Sequence, residues 1–250
     1  MRLSTGIFTV SRSESAVTAI LLDLADRFYG DLDRDGDAAQ KSLSRALAAP
    51  LVRNSGYYQG MSARTNSGRE RLLGAAHRLF YAHGINNVGT DTVIEEAGVA
   101  KMTLYRNFNS KDDLVAAYLQ ERDTWWHQKL MERINEPGQT PKEKILSFFE
   151  MFAEWVKDPD FHGCAFINAH SEHSQGPEAM KAIKSHKDSF YRILRKLVAD
   201  SGAEDPDSLA EQLFVLMEGG IVVSEMSRKS SPAARARTAA EALLNGHAYE

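Results

Sequence analysis

The feature that most constrains this chain is a recurrence of helix-opening signals along its length. Proline stands at a plausible first helical position in Thr140-Pro141, Gly176-Pro177, Asp205-Pro206 and Ser231-Pro232. A proline there forfeits no hydrogen bond the helix would use, and its φ is already helical. Glu143, three residues after Thr140, completes a capping box, and Ser110 with Asp113 makes a further N-cap. Apolar residues between these starts recur at helical spacing, whereas alternating patterns bounded by hairpin turns are hard to find. The sequence therefore predicts an all-α chain, with about nine helices from Ser67 onward.

The expected order is as follows. A helix carrying Leu72, Ala76, Leu79, Phe80 and His83 stops at Gly84, and a short helix covers Asp91 to Ala97. After a turn at Gly98, a third helix runs from about Lys101 to Phe108, and a long one capped by Ser110 reaches about Ile134. The helix opened by Pro141 is closed by Pro159 after Asp158, a segment follows around Cys164–His173, and helices near 177–200, 206–228 and 232–245 complete the chain.

Charge and composition narrow the function classes. The formal net charge of -4 rules out a uniformly basic surface, so any contact with nucleic acid must come from a local patch. Between Arg64 and Lys111 there are seven basic residues against four acidic ones. The single cysteine, Cys164, excludes an intramolecular disulfide and a cysteine zinc cage, which suits a reducing compartment. The longest apolar stretches are far too short to span a bilayer, and the N-terminus lacks the apolar core of a signal peptide, so the expected location is cytoplasmic, with no membrane partner.

The first sixty residues differ in kind. Ser11 and Glu14 precede a helical run of Val17, Ile20, Leu21, Leu24 and Phe28, followed by the acidic Asp31-Leu-Asp33-Arg-Asp35-Gly36. That run opens like an EF-hand loop, but its twelfth position is Ser42 where a bidentate glutamate is needed. Met61-Ser-Ala-Arg would be an ordinary start just ahead of the first core helix, so residues 1–60 are read as a poorly specified extension that an over-extended gene boundary would also produce.

The segment from about Gly89 to Phe108 carries the function. Two short helices flank a glycine turn, which is the helix-turn-helix plan. Val93, Ile94 and Ala97 face inward with Val99, Leu104 and Phe108. Met102, Thr103, Tyr105 and Arg106 then project outward, with Lys101 at the N-terminal flank. Lys101 and Arg106 suit phosphates or guanine edges, the hydroxyls of Thr103 and Tyr105 suit phosphate oxygens, and Met102 suits a thymine methyl.

Across residues 66–118, Ala75-Ala76, Leu79-Phe80, Gly84, Thr90, Ile94, Ala97-Gly98-Val99, Leu104-Tyr105, Phe108, Lys111 and Leu114 resemble the DNA-binding domain of the TetR family. The resemblance implies a three-helix helix-turn-helix domain at 66–126, followed by a larger helical ligand-binding and dimerisation domain at 127–250. It adds Thr90 and Lys111 to the DNA-contacting set, and implies a homodimer on a pseudo-palindromic operator, released by a small-molecule inducer. Repression is the expected mode. One departure is Ala100, where family members often place a serine or threonine cap on the recognition helix.

By the same resemblance, the helices at 177–200 and 206–228 correspond to the dimerisation pair, and Leu209, Leu213, Leu216, Met217, Gly220 and Val223 form the expected apolar stripe. The aromatic mass of Phe148, Phe149, Phe152, Trp155, Phe161 and Phe166 falls where an inducer pocket is implied, although most of these residues also read as core. Phe152, Trp155, Phe166, Asn168, His170 and Glu172 are the candidate pocket residues. His162, Cys164, His170, Glu172 and His173 raise an alternative, an all-α enzyme or metal-binding protein, but no ligand spacing or catalytic motif completes it. No catalytic residue, metal or cofactor is expected.

Overall fold

A computed structural model describes residues 67–172 and 176–246. The expected N-terminal helix, the EF-hand-like run, Met61 and His173 lie outside the described residues.

Among the described residues there are nine helices and no strand. They are α1 (Gly68–His83), α2 (Thr90–Ala97), α3 (Lys101–Asn107), α4 (Lys111–Ile134), α5 (Pro141–Trp155), α6 (Ala165–Ser171), α7 (Pro177–Asp200), α8 (Pro206–Ser227) and α9 (Ser231–Gly246). The caps explain the boundaries. Ser67 with Glu70 and Thr140 with Glu143 form complete capping boxes on α1 and α5. Ser110 and Asp205 each accept the backbone N–H three residues on, opening α4 and α8. Gly84 ends α1 with φ of 82°, a conformation that would strain any other residue. The helix expected to last until Pro159 instead ends at Trp155, because Lys157 and Asp158 bond three residues back and tighten the chain into a turn.

α1, α2 and α3 pack around Leu72, Leu79, Val93, Ala97, Leu104 and Phe108, all buried. α4 joins this head to the rest: it packs on α1 and, along its length, on α5 and α7. α8 and α9 pack on each other, and α5, α7 and α9 complete the core. Burial of this apolar interior is the main source of stability in a fold with no disulfide.

Candidate nucleic-acid interface

α3 is seven residues long and places a single side chain, Leu104, wholly in the head core. Phe108 follows one turn later and is also buried. This inward pair fixes the rotation of the helix, so its other side faces out. Met102 is 61% and Tyr105 47% exposed, unusual for large apolar and aromatic groups on a surface with no partner in view. Lys101 and Arg106 are exposed beside them, and Arg106 has no ion pair among the described residues. Thr103 is half-buried because Gly68, at the first turn of α1, lies against its γ-methyl; a Cβ on Gly68 would stand 2.4 Å from it.

The turn between α2 and α3 is held from both sides. Gly98 takes the left-handed conformation at φ of 60° and its N–H reaches Glu95 O, while Val99 N–H bonds Ile94 O. Arg71 of α1 donates Nη1 to the Gly98 carbonyl at 3.2 Å. Lys101 Nζ lies 3.0 Å from Asp91 Oδ1, and that hydrogen bond raises the lysine pKa. Ala100 supplies no side-chain cap. In place of a cap, the start of α3 carries the exposed ion pair from Lys101 to Asp91. Thr90 sits at the first position of α2, half-buried.

Lys111 stands apart from this surface. It is half-buried at the start of α4, its ammonium donates to Ile85 O at 2.6 Å and lies over the Phe80 ring, and burial lowers its pKa. Its ammonium is thus drawn partly into the head, whereas Lys101 and Arg106 are exposed.

The comparisons with known proteins agree with this geometry. Residues 72–118 match the model of bacterial regulatory proteins of the tetR family, and residues 141–240 match a tetracyclin repressor-like C-terminal domain. The HTH-type transcriptional regulator YjdC of Escherichia coli is 26% identical over 180 residues, spanning 70% of this chain and 93% of its own. The solved structure of a TetR-family transcriptional regulator from Streptomyces coelicolor is 30% identical, superposes with a TM-score of 0.67, and covers 76% of this chain and 97% of its own. The chain belongs to the TetR family. The reduced form of Escherichia coli NemR, 20% identical with a TM-score of 0.64 over 73% of this chain and 99% of that one, shares the fold. The protein is a DNA-binding transcriptional regulator, and α2 and α3 are its helix-turn-helix.

In this TetR-family chain several aromatic residues of α4 to α7 form a connected cluster. Trp126 stacks on Phe152 at 5.4 Å and meets Trp155 edge-on, while Trp155 in turn meets Phe161. Phe190 links Phe152 to His186, which lies flat on Phe166 at 3.6 Å between ring centres. Phe152, Trp155 and Phe166 are therefore neighbours within one network. The polar candidates are not gathered there. Asn168 Nδ2 donates to His162 O at 2.7 Å, His170 is exposed, and Glu172 turns towards the head. Cys164 Sγ accepts from Lys187, whose ammonium is held by Glu218 at 2.6 Å. Cys164, Asn168 and Glu172 thus engage different partners, and among the described residues no group of three such ligands is arranged for a metal.

Sequence reasoning missed a polar cluster beside the aromatic network. Asp123 Oδ1 lies 2.6 Å from His186 Nδ1 and 3.2 Å from His127 Nδ1, and His127 Nε2 meets Ser189 Oγ at 2.6 Å. Burial raises the Asp123 carboxyl, but the two imidazoles outweigh it and hold the group well below the carboxylate range. The hydrogen bond to Asp123 raises His127, whereas burial takes His186 down to about 4 despite the same aspartate. Only the Asp123/His127 spacing of four was visible in the sequence.

The stripe expected to dimerise is divided. Leu209, Leu213, Met217 and Gly220 are buried within the chain, and a Cβ on Gly220 would stand 2.9 Å from Ala236 Cβ, so this glycine serves the close approach of α8 and α9. The open side of α8 carries Val215, Val223 and Met226, at 66%, 49% and 77% exposure.

Proposed function

We propose that the protein is a homodimeric, cytoplasmic repressor, which binds a pseudo-palindromic operator through α3 and releases it when a small molecule occupies the second domain. In this reading 66–126 is the DNA-binding head and 127–250 the regulatory and dimerisation domain. Thr90, Lys101, Met102, Thr103, Tyr105 and Arg106 contact DNA, with Lys111 a structural support rather than a direct contact. The observation that carries it is the outward face of α3, where Met102 and Tyr105 stand exposed between two cations on a helix pinned by Leu104. Backbone contacts from such a surface set register, while Met102 and Arg106 can read base edges.

Dimerisation is supported by the open apolar side of α8, because two heads must be placed about one turn of DNA apart. Among the described residues no helix is long and apolar enough to cross a membrane. The aromatic network around Phe152, Trp155 and Phe166 favours an apolar or aromatic inducer. Release requires that the ligand bind one head spacing better than the other.

A gel-shift titration against the DNA flanking its own gene, at two salt concentrations, tests the reading. Saturable, sequence-preferring, salt-sensitive binding is expected, and Tyr105→Ala or Lys101→Ala weakens it with the melting temperature unchanged. Unchanged affinity in both variants would remove α3 as the reading helix.

A further inference from the structure

The regulatory domain grips the head at two points, both at the ends of α6. Ahead of its first residue, Tyr81 of α1 donates its hydroxyl to Gly163 O at 2.9 Å and accepts His162 N–H at 3.1 Å, in a buried setting. Just past its last residue, Glu172 spreads its carboxylate over the turn between α1 and α2. Oε1 accepts Ile85 N–H at 2.9 Å, Oε2 accepts Asn86 N–H, and Asn86 Nδ2 returns a bond to Glu172 O at 2.9 Å. Gly84 makes room, since a Cβ there would stand 3.3 Å from Oε1. Lys111 closes the arrangement by binding Ile85 O from α4, its charge favourably placed towards Glu172.

We propose that Glu172 is a positioning residue for DNA recognition: its carboxylate clasps the turn that enters α2 and so sets the tilt of the helix-turn-helix from within the regulatory domain. Three observations carry this. The two N–H groups are consecutive, so a single carboxylate fixes the direction of the turn as well as its position. The turn leads into Thr90 through Val88 and Gly89, and any rotation of it moves α2 and the recognition helix fixed to α2 by the Gly98 turn. Further along the same short helix, Phe166 is stacked flat on His186 of α7, so α6 follows the core as well as the head. Of the two grips, the Tyr81 hydroxyl is bound within the interior, whereas Glu172 is half-buried and Asn86 exposed. With its carboxylate half open to solvent and Asn86 exposed, the Glu172 clasp is the more releasable of the two.

The test reads head tilt without DNA. Spin labels replace the exposed Glu95 on α2 and Glu136 beyond α4 in a Cys164→Ser background, and labelled chain is diluted into excess unlabelled protein so that only intrachain distances appear. The parent should give one narrow distance. Glu172→Ala should broaden or shift it, speed amide exchange at Ile85 and Asn86, and weaken operator binding about tenfold, with a cooperative unfolding transition retained. Glu172→Gln, which keeps one acceptor for one N–H, should fall between. An unchanged distance with faster exchange at Ile85 and Asn86 would overturn the proposal, leaving Glu172 as a local cap of the turn. An unchanged exchange rate would overturn it more directly. The affinity readout alone rests on the regulator reading; if no DNA binding were found for any variant, the distance and exchange measurements would still decide the role of Glu172.

Discussion

At the scale of single residues, the recognition surface is shaped by charges that are already engaged. In the proposed reading Lys101, paired with Asp91 at 3.0 Å, reaches a phosphate only after exchanging that carboxylate or sharing it. Exposed pairs of this kind contribute little to stability, which makes Asp91 a free variable for affinity. Asp91→Asn should tighten operator binding by about twofold to fivefold, the range an exposed ion pair allows, and a titration against salt should show it. Weaker binding would mean instead that Asp91 holds Lys101 in its productive geometry. Lys101→Ala should lower the slope of log affinity against log salt by about 0.9 for each phosphate that the lysine had neutralised. The buried Leu104 answers to packing: Leu104→Ala should cost about 2–5 kcal/mol in urea unfolding, because it opens a cavity in the head core.

At the scale of elements, α8 has two faces with different duties. Its inner face approaches α9 closely at Gly220, where the Ala236 methyl leaves no space for a side chain. Gly220→Val should therefore destabilise the fold by about 1–3 kcal/mol through overpacking, visible as a lowered melting temperature. Its outer face is apolar and open. A charge at Met226 or Val223, as in Met226→Asp, should leave the subunit fold intact and shift the mass measured by light scattering from dimer towards monomer; a persistent dimer would place the subunit contact elsewhere. The sequence placed this helix and its apolar stripe, and within that stripe Gly220 lies against Ala236 of α9 in the same chain. A stripe of apolar residues shows that a face is covered, and does not show whether the cover belongs to the same chain.

At the scale of the molecule, acid should loosen the second domain through its buried imidazoles. Unfolded, His186 takes its proton near 6.5; folded, only at about 4. Between those values the unfolded chain binds more protons, so stability falls as pH falls, by about 3 kcal/mol if His186 acts alone. His77, buried in α1 beside Glu121 at 3.0 Å and likewise lowered by burial, acts in the same direction. His127 is raised by its bond to Asp123, so its contribution is fully present below 6.5 and is lost as pH rises through its folded pKa. Asp123 loses its contribution only below its ordinary value of 3.8. Urea midpoints should therefore drop between about pH 6.5 and about pH 4. His186→Asn, which keeps a donor for Asp123 without the titration, should flatten that drop; an equally steep curve would assign it to other groups.

The sequence by itself determined the helices, their order and the helix-turn-helix. These rest on signals exchanged between residues within about four positions: Ser67 with Glu70, Thr140 with Glu143, the prolines at helix starts, the glycines at 84 and 98. Local hydrogen-bond demand acts over that same short range, which is why the boundaries of α1 to α4 and α7 were legible to within a residue or so. Tertiary structure alone decided the partners. Glu172 meets Ile85 across 87 positions, His127 meets Ser189 across 62, and Lys111 meets Ile85 O across 26. A buried polar group must find a partner wherever the packing brings one, and the free energy of that choice is set by burial and geometry that no short stretch of chain encodes.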